Sequence, residues 1–246
     1  MFCHCSPFSY WNVLVRILGR PSGPDQGHRS ARLALAGGVR EGSGYGELRL
    51  RPAYHALMDP EGGYIEGAQI DFLDFSLRYY GDTDRLELDE FKIVDIVSLS
   101  PLQPFASPTS WRIAVGLERA PFTVQNGPLV GALNGGGGVS IRPAPRHLLY
   151  GLFETALYVD DDLPDGYLLG AGPALGWQWR ITPAWQLRAQ ARIYAFTDPD
   201  TPEDLRASLE QRYTLAPNLA LRLDLRQEGA PSAPIEEAEL ALQWFF

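Results

Sequence analysis

The chain has 246 residues, of which 45% are hydrophobic and 11% aromatic, and this composition is sufficient for a folded domain. Its formal net charge of -9 argues against nucleic acid as a partner, because the phosphate backbone requires a basic protein face. The sequence contains no run of about 18 apolar residues, which excludes a membrane-spanning helix.

The first 29 residues carry no regular pattern. Cys3 and Cys5 flank His4, but this triplet lacks the fourth ligand of the usual zinc site. The stretch also lacks the positive start and the small-residue cleavage site of a signal peptide. We therefore expect residues 1–29 to be a poorly ordered leader, residues 30–246 to form the folded domain, and the chain to hold no metal and no cofactor.

From Ser30 onward, apolar and polar residues alternate in stretches separated by Gly, Pro, Asp and Asn, which is typical of an all-β chain. The pattern predicts twelve strands, at residues 31–40, 46–54, 68–80, 85–99, 110–119, 129–142, 146–159, 166–181, 184–196, 205–214, 219–228 and 235–246.

The last stretch indicates which kind of β protein this is. Leu240, Leu242 and Trp244 share one face, Glu237 and Glu239 the other, and the chain stops on an aromatic residue. A terminal strand of this kind is typical of bacterial outer-membrane barrels, whose outer face meets lipid. The sequence therefore predicts an all-β fold, an antiparallel transmembrane β-barrel of about twelve strands, with ten as the alternative, located in the outer membrane.

Connection lengths and aromatic residues support this topology. If the first strand runs outward from the periplasm, residues 143–145, 182–183 and 216–218 are short periplasmic turns and residues 160–165, 197–204 and 229–234 are longer outer loops. The first half fits less well, since residues 55–67 and 100–109 become long periplasmic connections. The same topology predicts an aromatic girdle at the periplasmic level, formed by Trp111, Trp177, Trp179, Trp185, Tyr213, Trp244 and Phe246.

Charged residues occupy the predicted inner face of the last strands. We expect a lumen charge network formed by Arg188, Arg192, Arg206, Glu210, Arg212, Arg222, Asp224, Arg226, Glu237 and Glu239. Such charges either neutralise one another and fill a narrow barrel or line a pore. Because twelve strands leave an interior that side chains can largely block, we do not predict an open channel.

Two other stretches invite a functional interpretation. Residues 134–138 (NGGGG) lack the Lys-Ser/Thr and the helix of a phosphate-binding loop, so we interpret them as part of a strand. Residues 51–60 are polar and aromatic where a simple turn would suffice. Arg51, Tyr54, His55 and Asp59 are therefore candidates for docking a periplasmic domain, against a plain structured loop as the alternative.

Several motifs resemble the C-terminal barrel region of an uncharacterised Gram-negative family, whose N-terminal periplasmic domain is similar to the Lnb-type lipoprotein acyltransferase domain. They are residues 24–32 (PDQGHRSAR), 47–60 (ELRLRPAYHALMDP), 63–77 (GYIEGAQIDFLDFSL), 96–104 (IVSLSPLQP) and 110–119 (SWRIAVGLER), together with the Gly-rich stretch. In that family the presumed catalytic Cys and His belong to the N-terminal domain, so no catalytic residue is carried over.

We therefore expect an outer-membrane barrel that anchors or docks a periplasmic domain of lipoprotein or envelope metabolism and is not itself catalytic. The expected partners are outer-membrane lipid, the barrel assembly machinery through the C-terminal strand, and a periplasmic enzyme domain. The alternatives are a barrel enzyme acting on lipids, which needs a His-Ser pair on the outer face, a small passive pore, and a soluble β-barrel that binds a small ligand.

Overall fold

The computed structural model describes residues 28–60, 64–120, 127–163 and 165–246. The predicted leader, apart from its last two residues, and the triplet around His4 lie outside this part of the chain. Among the described residues, no helix is long and apolar enough to cross a membrane. The strands are β1 (Arg32–Arg40), β2 (Ser43–Arg51), β3 (Ala53–His55), β4 (Ala68–Tyr80), β5 (Arg85–Ser98), β6 (Ser110–Arg119), β7 (Leu129–Ala144), β8 (His147–Val159), β9 (Tyr167–Arg180), β10 (Trp185–Phe196), β11 (Asp204–Ala216), β12 (Leu219–Glu228) and β13 (Ile235–Phe245).

These strands form one closed antiparallel barrel with twelve strand positions, because β2 and β3 share one position. Consecutive strands from β4 to β13 pair with one another, β13 pairs with β1, and β2 pairs with both β1 and β4. The short β3 continues β2 along β4 after Pro52, which has no N–H for the ladder and interrupts the strand. The predicted fold class and strand number are confirmed.

The two faces of the barrel wall have reversed polarity relative to a soluble protein. In β13, Glu239 is 1% exposed and Gln243 2%, whereas Leu240 is 50% exposed and Trp244 52%. An apolar outer face around a polar interior is stable only where lipid surrounds the barrel.

The barrel ends differ in their connections. We call the end at which β1 begins and β13 finishes the periplasmic end, following the usual topology of outer-membrane barrels. Turns of two residues join β7 to β8 and β11 to β12 there, whereas the connections from β6 to β7, from β8 to β9 and from β10 to β11 at the other end are longer. As expected from the sequence, the connections from β3 to β4 and from β5 to β6 at the periplasmic end are also long.

Most predicted strand boundaries agree with the structure to within two residues, and the largest error is at the start of the second strand. The second strand begins at Ser43 rather than Gly46, because Glu41 and Gly42 form a two-residue hairpin with φ values of 49° and 82°. Positive φ at both positions matches the twist of paired strands.

The Gly-rich stretch lies within β7, as predicted, and brings β7 unusually close to β8. A Cβ atom at Gly136 would lie 2.3 Å from the carbonyl oxygen of Phe153, and one at Gly138 would lie 2.0 Å from that of Gly151. Glycine is required at these positions because the neighbouring backbone occupies the space of a side chain.

Candidate functional site: the charged lumen and its periplasmic closure

The inner wall of the barrel is lined by ion pairs. All ten residues predicted for the lumen charge network lie on inward positions of β10 to β13. The structure adds partners from the first half of the chain that the sequence analysis missed, including Arg40, Tyr45, Glu47, Arg49, Arg78 and Glu118.

The first group of ion pairs surrounds Glu237 on β13. Its carboxylate accepts hydrogen bonds from Arg40 at 2.7 Å, Tyr45 Oη at 2.7 Å, Arg78 at 2.8 Å and Arg226 at 3.2 Å. These donors come from β1, β2, β4 and β12, so the group joins the strands on both sides of the β1–β13 seam.

A second group surrounds Glu210 on β11, and a further ion pair crosses the lumen. Glu210 accepts hydrogen bonds from Arg188 at 2.7 Å and Arg222 at 2.9 Å. Arg206 on β11 lies 2.9 Å from Glu118 on β6. Five steps around a twelve-stranded barrel separate these strands, so this pair bridges nearly opposite walls and narrows the lumen.

A cavity of about 310 Å³ remains between these groups. Its walls carry both signs of charge, for example Glu90, Arg112, Glu154 and Arg192, and Leu57 forms part of its floor. Its volume is at the lower end of the range for small-molecule sites.

Residues 56–59, which we call the lumen segment, lie at the periplasmic end of the cavity, and Ala56 and Leu57 line it. Ala56, Leu57, Met58 and Asp59 are all buried. Leu57 donates its N–H to Gln69 on β4 at 3.2 Å and accepts a hydrogen bond from Gln178 on β9 at 2.6 Å through its carbonyl oxygen. Since β4 and β9 lie on nearly opposite sides of the barrel, the segment crosses the lumen.

Asp59 fixes the lumen segment to the barrel wall. Its Oδ2 atom pairs with Arg51 and accepts the N–H of Ala56 at 2.9 Å, while Oδ1 lies 3.7 Å from Arg32. Burial alone would raise the pKa of Asp59, but the charges of Arg51 and Arg32 outweigh it and hold the pKa below its usual value. Asp59 is therefore an ionised anchor.

The structure places the docking candidates in two environments. Arg51, His55 and Asp59 are buried inside the barrel, so they do not face the periplasm in this conformation. Tyr54 is 52% exposed and contacts Phe72 on the outer face, with ring centroids 5.7 Å apart. The docking role stays a prediction, and Arg51 and Asp59 also form the ion pair that holds the lumen segment to the barrel wall.

Two histidines meet beside Asp59, a contact that sequence analysis did not predict. His28 Nε2 lies 3.0 Å from His55 Nδ1 and 4.0 Å from Asp59 Oδ2. Burial lowers the pKa of His28 below its usual value. The donor atoms of the three residues all lie within 4.8 Å of one another, which makes them a group that could hold a metal ion.

The aromatic residues predicted for the girdle all lie at the periplasmic end, on outward positions. Trp177 and Trp179 stack at 5.8 Å, and Trp177 Nε1 donates to His147 at 3.1 Å. Tyr79 and Tyr167 are about half exposed at the other end. The barrel therefore carries aromatic rings at both ends, as a spanning barrel does.

Comparison with known proteins gives a family. Residues 21–245 match a domain of unknown function, DUF7840. The chain belongs to this family. No curated protein matches the sequence.

Solved structures share the fold at low sequence identity. The KdgM porin in complex with disordered oligogalacturonate is 8% identical, with a TM-score of 0.51 over 87% of this chain and 99% of that one. The NanC porin is 9% identical, with a TM-score of 0.54 over 86% and 98%. An outer membrane channel from Pseudomonas putida F1 is 11% identical, with a TM-score of 0.52 over 93% and 98%.

These neighbours are porins and channels rather than enzymes, and at such identities they establish the fold alone. With the apolar outer face and the aromatic rings at both ends, the fold identifies the chain as an outer-membrane β-barrel. They do not include an Lnb-type domain, so that resemblance stays a prediction.

Proposed function

We propose that this chain is a narrow outer-membrane channel for small charged solutes, closed at its periplasmic end by the lumen segment. The observation that carries this proposal is a polar cavity with ion-paired walls whose floor is a connecting segment rather than the wall itself. A barrel that served only as a filled anchor would need no cavity of about 310 Å³.

The cavity chemistry supports a charged solute. Arginine and carboxylate side chains face the same space, so a solute can replace a partner in an existing ion pair without leaving a bare charge. Two of the structural neighbours are porins and a third is an outer membrane channel, which makes transport the simplest function for this barrel.

Solute flux into proteoliposomes tests this proposal. Asp59→Ala removes the carboxylate that pairs with Arg51, so the lumen segment loses its anchor and entry of a small sugar acid should increase over wild type. Asp161→Ala, in an exposed outer loop, is the matched control and should leave flux unchanged.

Folding must be checked because Asp59 is buried. Each variant is compared boiled and unboiled on a denaturing gel, and a second variant replaces residues 57–64 by Gly-Ser-Gly. If both variants fold and both remain as impermeable as wild type, the channel proposal is wrong.

We propose as a second candidate that the periplasmic end anchors a partner domain. Three apolar side chains project from it: Ile65 is 79% exposed, Leu102 41% and Phe105 fully exposed. These side chains lie on connections, outside the lipid-facing wall, where a partner domain would cover them. The resemblance to a family with an Lnb-type periplasmic domain supports such a partner.

Photo-crosslinking tests the second candidate. A photoreactive residue at Phe105 should form an adduct with a periplasmic domain that mass spectrometry identifies as Lnb-type. The same probe at Trp185, on the lipid-facing wall, should form adducts with lipid. Lipid adducts from both positions would contradict the anchoring role.

A further inference from the structure

We propose that His28, His55 and Asp59 bind one divalent transition-metal ion at the periplasmic end of the lumen. The three side chains come from the segment before β1, from the end of β3 and from the lumen segment. Each is at least nine-tenths buried, and each offers one ligand atom to the same small space. Two imidazoles and a carboxylate suit zinc and its first-row neighbours.

The spacing of the ligand atoms fits a tetrahedral ion. Metal–ligand distances of about 2.1 Å place tetrahedral donors about 3.4 Å apart. Here His28 Nε2 lies 3.0 Å from His55 Nδ1 and 4.0 Å from Asp59 Oδ2. These two separations lie on either side of the tetrahedral value, and all three ligand atoms lie within 4.8 Å of one another, so modest side-chain shifts would admit an ion.

The orientation of His28 is that of a metal ligand. Its Nδ1 atom lies 2.6 Å from the carbonyl oxygen of Arg29 and donates to it, which leaves the lone pair of Nε2 directed at the other two residues. Metal-binding histidines commonly make such an outer hydrogen bond. The rings are also held in place, since Tyr64 stacks on both histidines at 4.7 and 4.2 Å and Phe245 contacts His28 at 4.4 Å.

The surrounding charges are balanced. Arg51 pairs with Asp71 at 3.0 Å as well as with Asp59, and Arg32 pairs with Asp74 at 2.9 Å. Arg212 on β11 contributes a third positive charge near both histidines. Three arginines therefore face three aspartates before any metal binds. These three aspartates include Asp59 itself, so the cluster as a whole is neutral. A zinc ion held by three neutral histidines also receives no charge from its protein ligands, so a neutral cluster is compatible with zinc binding.

Metal binding at this position would tie the lumen segment to the start of β1. Three protein ligands also leave a fourth position for water or another ligand. The inference stands apart from the proposed channel function, because metal binding does not require conduction.

Metal titration of the refolded chain tests the site. Cys3, His4 and Cys5 could bind zinc themselves, so the measurements use a Cys3→Ser/Cys5→Ser chain as the reference. Calorimetric titration with Zn²⁺ should give one ion per chain, and Co²⁺ should give the visible absorption of a tetrahedral site. His28→Gln and His55→Gln should each weaken Zn²⁺ binding by more than about tenfold, since loss of a ligand exceeds loss of an outer partner.

His147→Gln is the matched control. This histidine also lies at the periplasmic end, but it stacks on Trp177 and Trp179 outside the cluster, so its loss should leave Zn²⁺ affinity unchanged. Each variant must show the gel shift of a folded barrel. Absence of binding by the reference chain, or equal affinity in the folded His28→Gln and His55→Gln variants, would overturn the site.

Discussion

Glu237→Gln should destabilise the barrel by about 3 kcal/mol, because Glu237 is the most connected carboxylate of the lumen. One of its oxygens accepts from Tyr45, Arg78 and Arg226, and the other accepts from Arg40 and Arg78. Glutamine keeps one acceptor oxygen and turns an amide N–H₂ toward the two donors at the other position.

The magnitude follows from the hydrogen bonds that are lost. Two charge-assisted hydrogen bonds disappear, at about 1.5–3 kcal/mol each, and breaking a buried ion pair costs about 3–5 kcal/mol. Arg40 retains Glu228 and Arg78 retains Glu47 as partners, so we expect the lower end of this range.

Urea titration in lipid vesicles, followed by tryptophan fluorescence, measures the free energy of unfolding. Glu236→Gln is the matched control, since this neighbouring side chain is exposed and its replacement should change stability by less than about 0.5 kcal/mol. If Glu237→Gln is as stable as Glu236→Gln, the ion pairs do not hold the barrel wall together.

Three further changes have defined outcomes. Gly138→Ala should lower the free energy of unfolding by about 1–3 kcal/mol, because the new Cβ atom would lie 2.0 Å from a backbone oxygen of β8. Gly46→Ala is the control and should leave stability unchanged, because a Cβ atom there would have no neighbour within 4 Å. Equal stability of the two variants in the urea titration would refute the close approach of β7 and β8. Glu210→Gln removes the negative charge between Arg188 and Arg222. Introduced into the variant with residues 57–64 replaced by Gly-Ser-Gly, it should make the channel more anion-selective in reversal-potential measurements. An unchanged reversal potential would place Glu210 away from the ion path. Phe246→Ala should lower the amount of barrel in the outer membrane of cells while leaving refolding in detergent intact, and equal cellular levels would argue against recognition of the C-terminal strand by the assembly machinery.

Much of the wall was predictable because lipid imposes alternation on every strand. The bounds of β6 and β12 agree with the sequence prediction at both ends, and β13 differs only by its last residue. The start of β2 was missed because Gly44 and Gly46 lie on outward positions, and glycine there gives no apolar signal.

The position of the lumen segment across the barrel was not predictable from the sequence. Leu57 and Met58 show no periodicity that would mark them as buried, and the partner of Leu57 on β9 lies 121 residues away. The charged residues of β2 could have been found, because Glu47, Arg49 and Arg51 alternate as cleanly as those of the later strands.

The contact between His28 and His55 also lies beyond sequence reasoning. The topology predicts both at the periplasmic end, but a distance of 3.0 Å depends on how the segment before β1 folds against Tyr64 and Phe245.

Single-channel recording in planar bilayers tests the central claim most directly. Wild-type chain and the variant with residues 57–64 replaced by Gly-Ser-Gly are inserted side by side under the same salt and voltage. Closure by the lumen segment predicts that the wild type is nearly silent and that the variant shows discrete conductance steps. A folded but silent variant would mean that the lumen is filled along its length, and equal conductance of the two would mean that the lumen segment is not the seal.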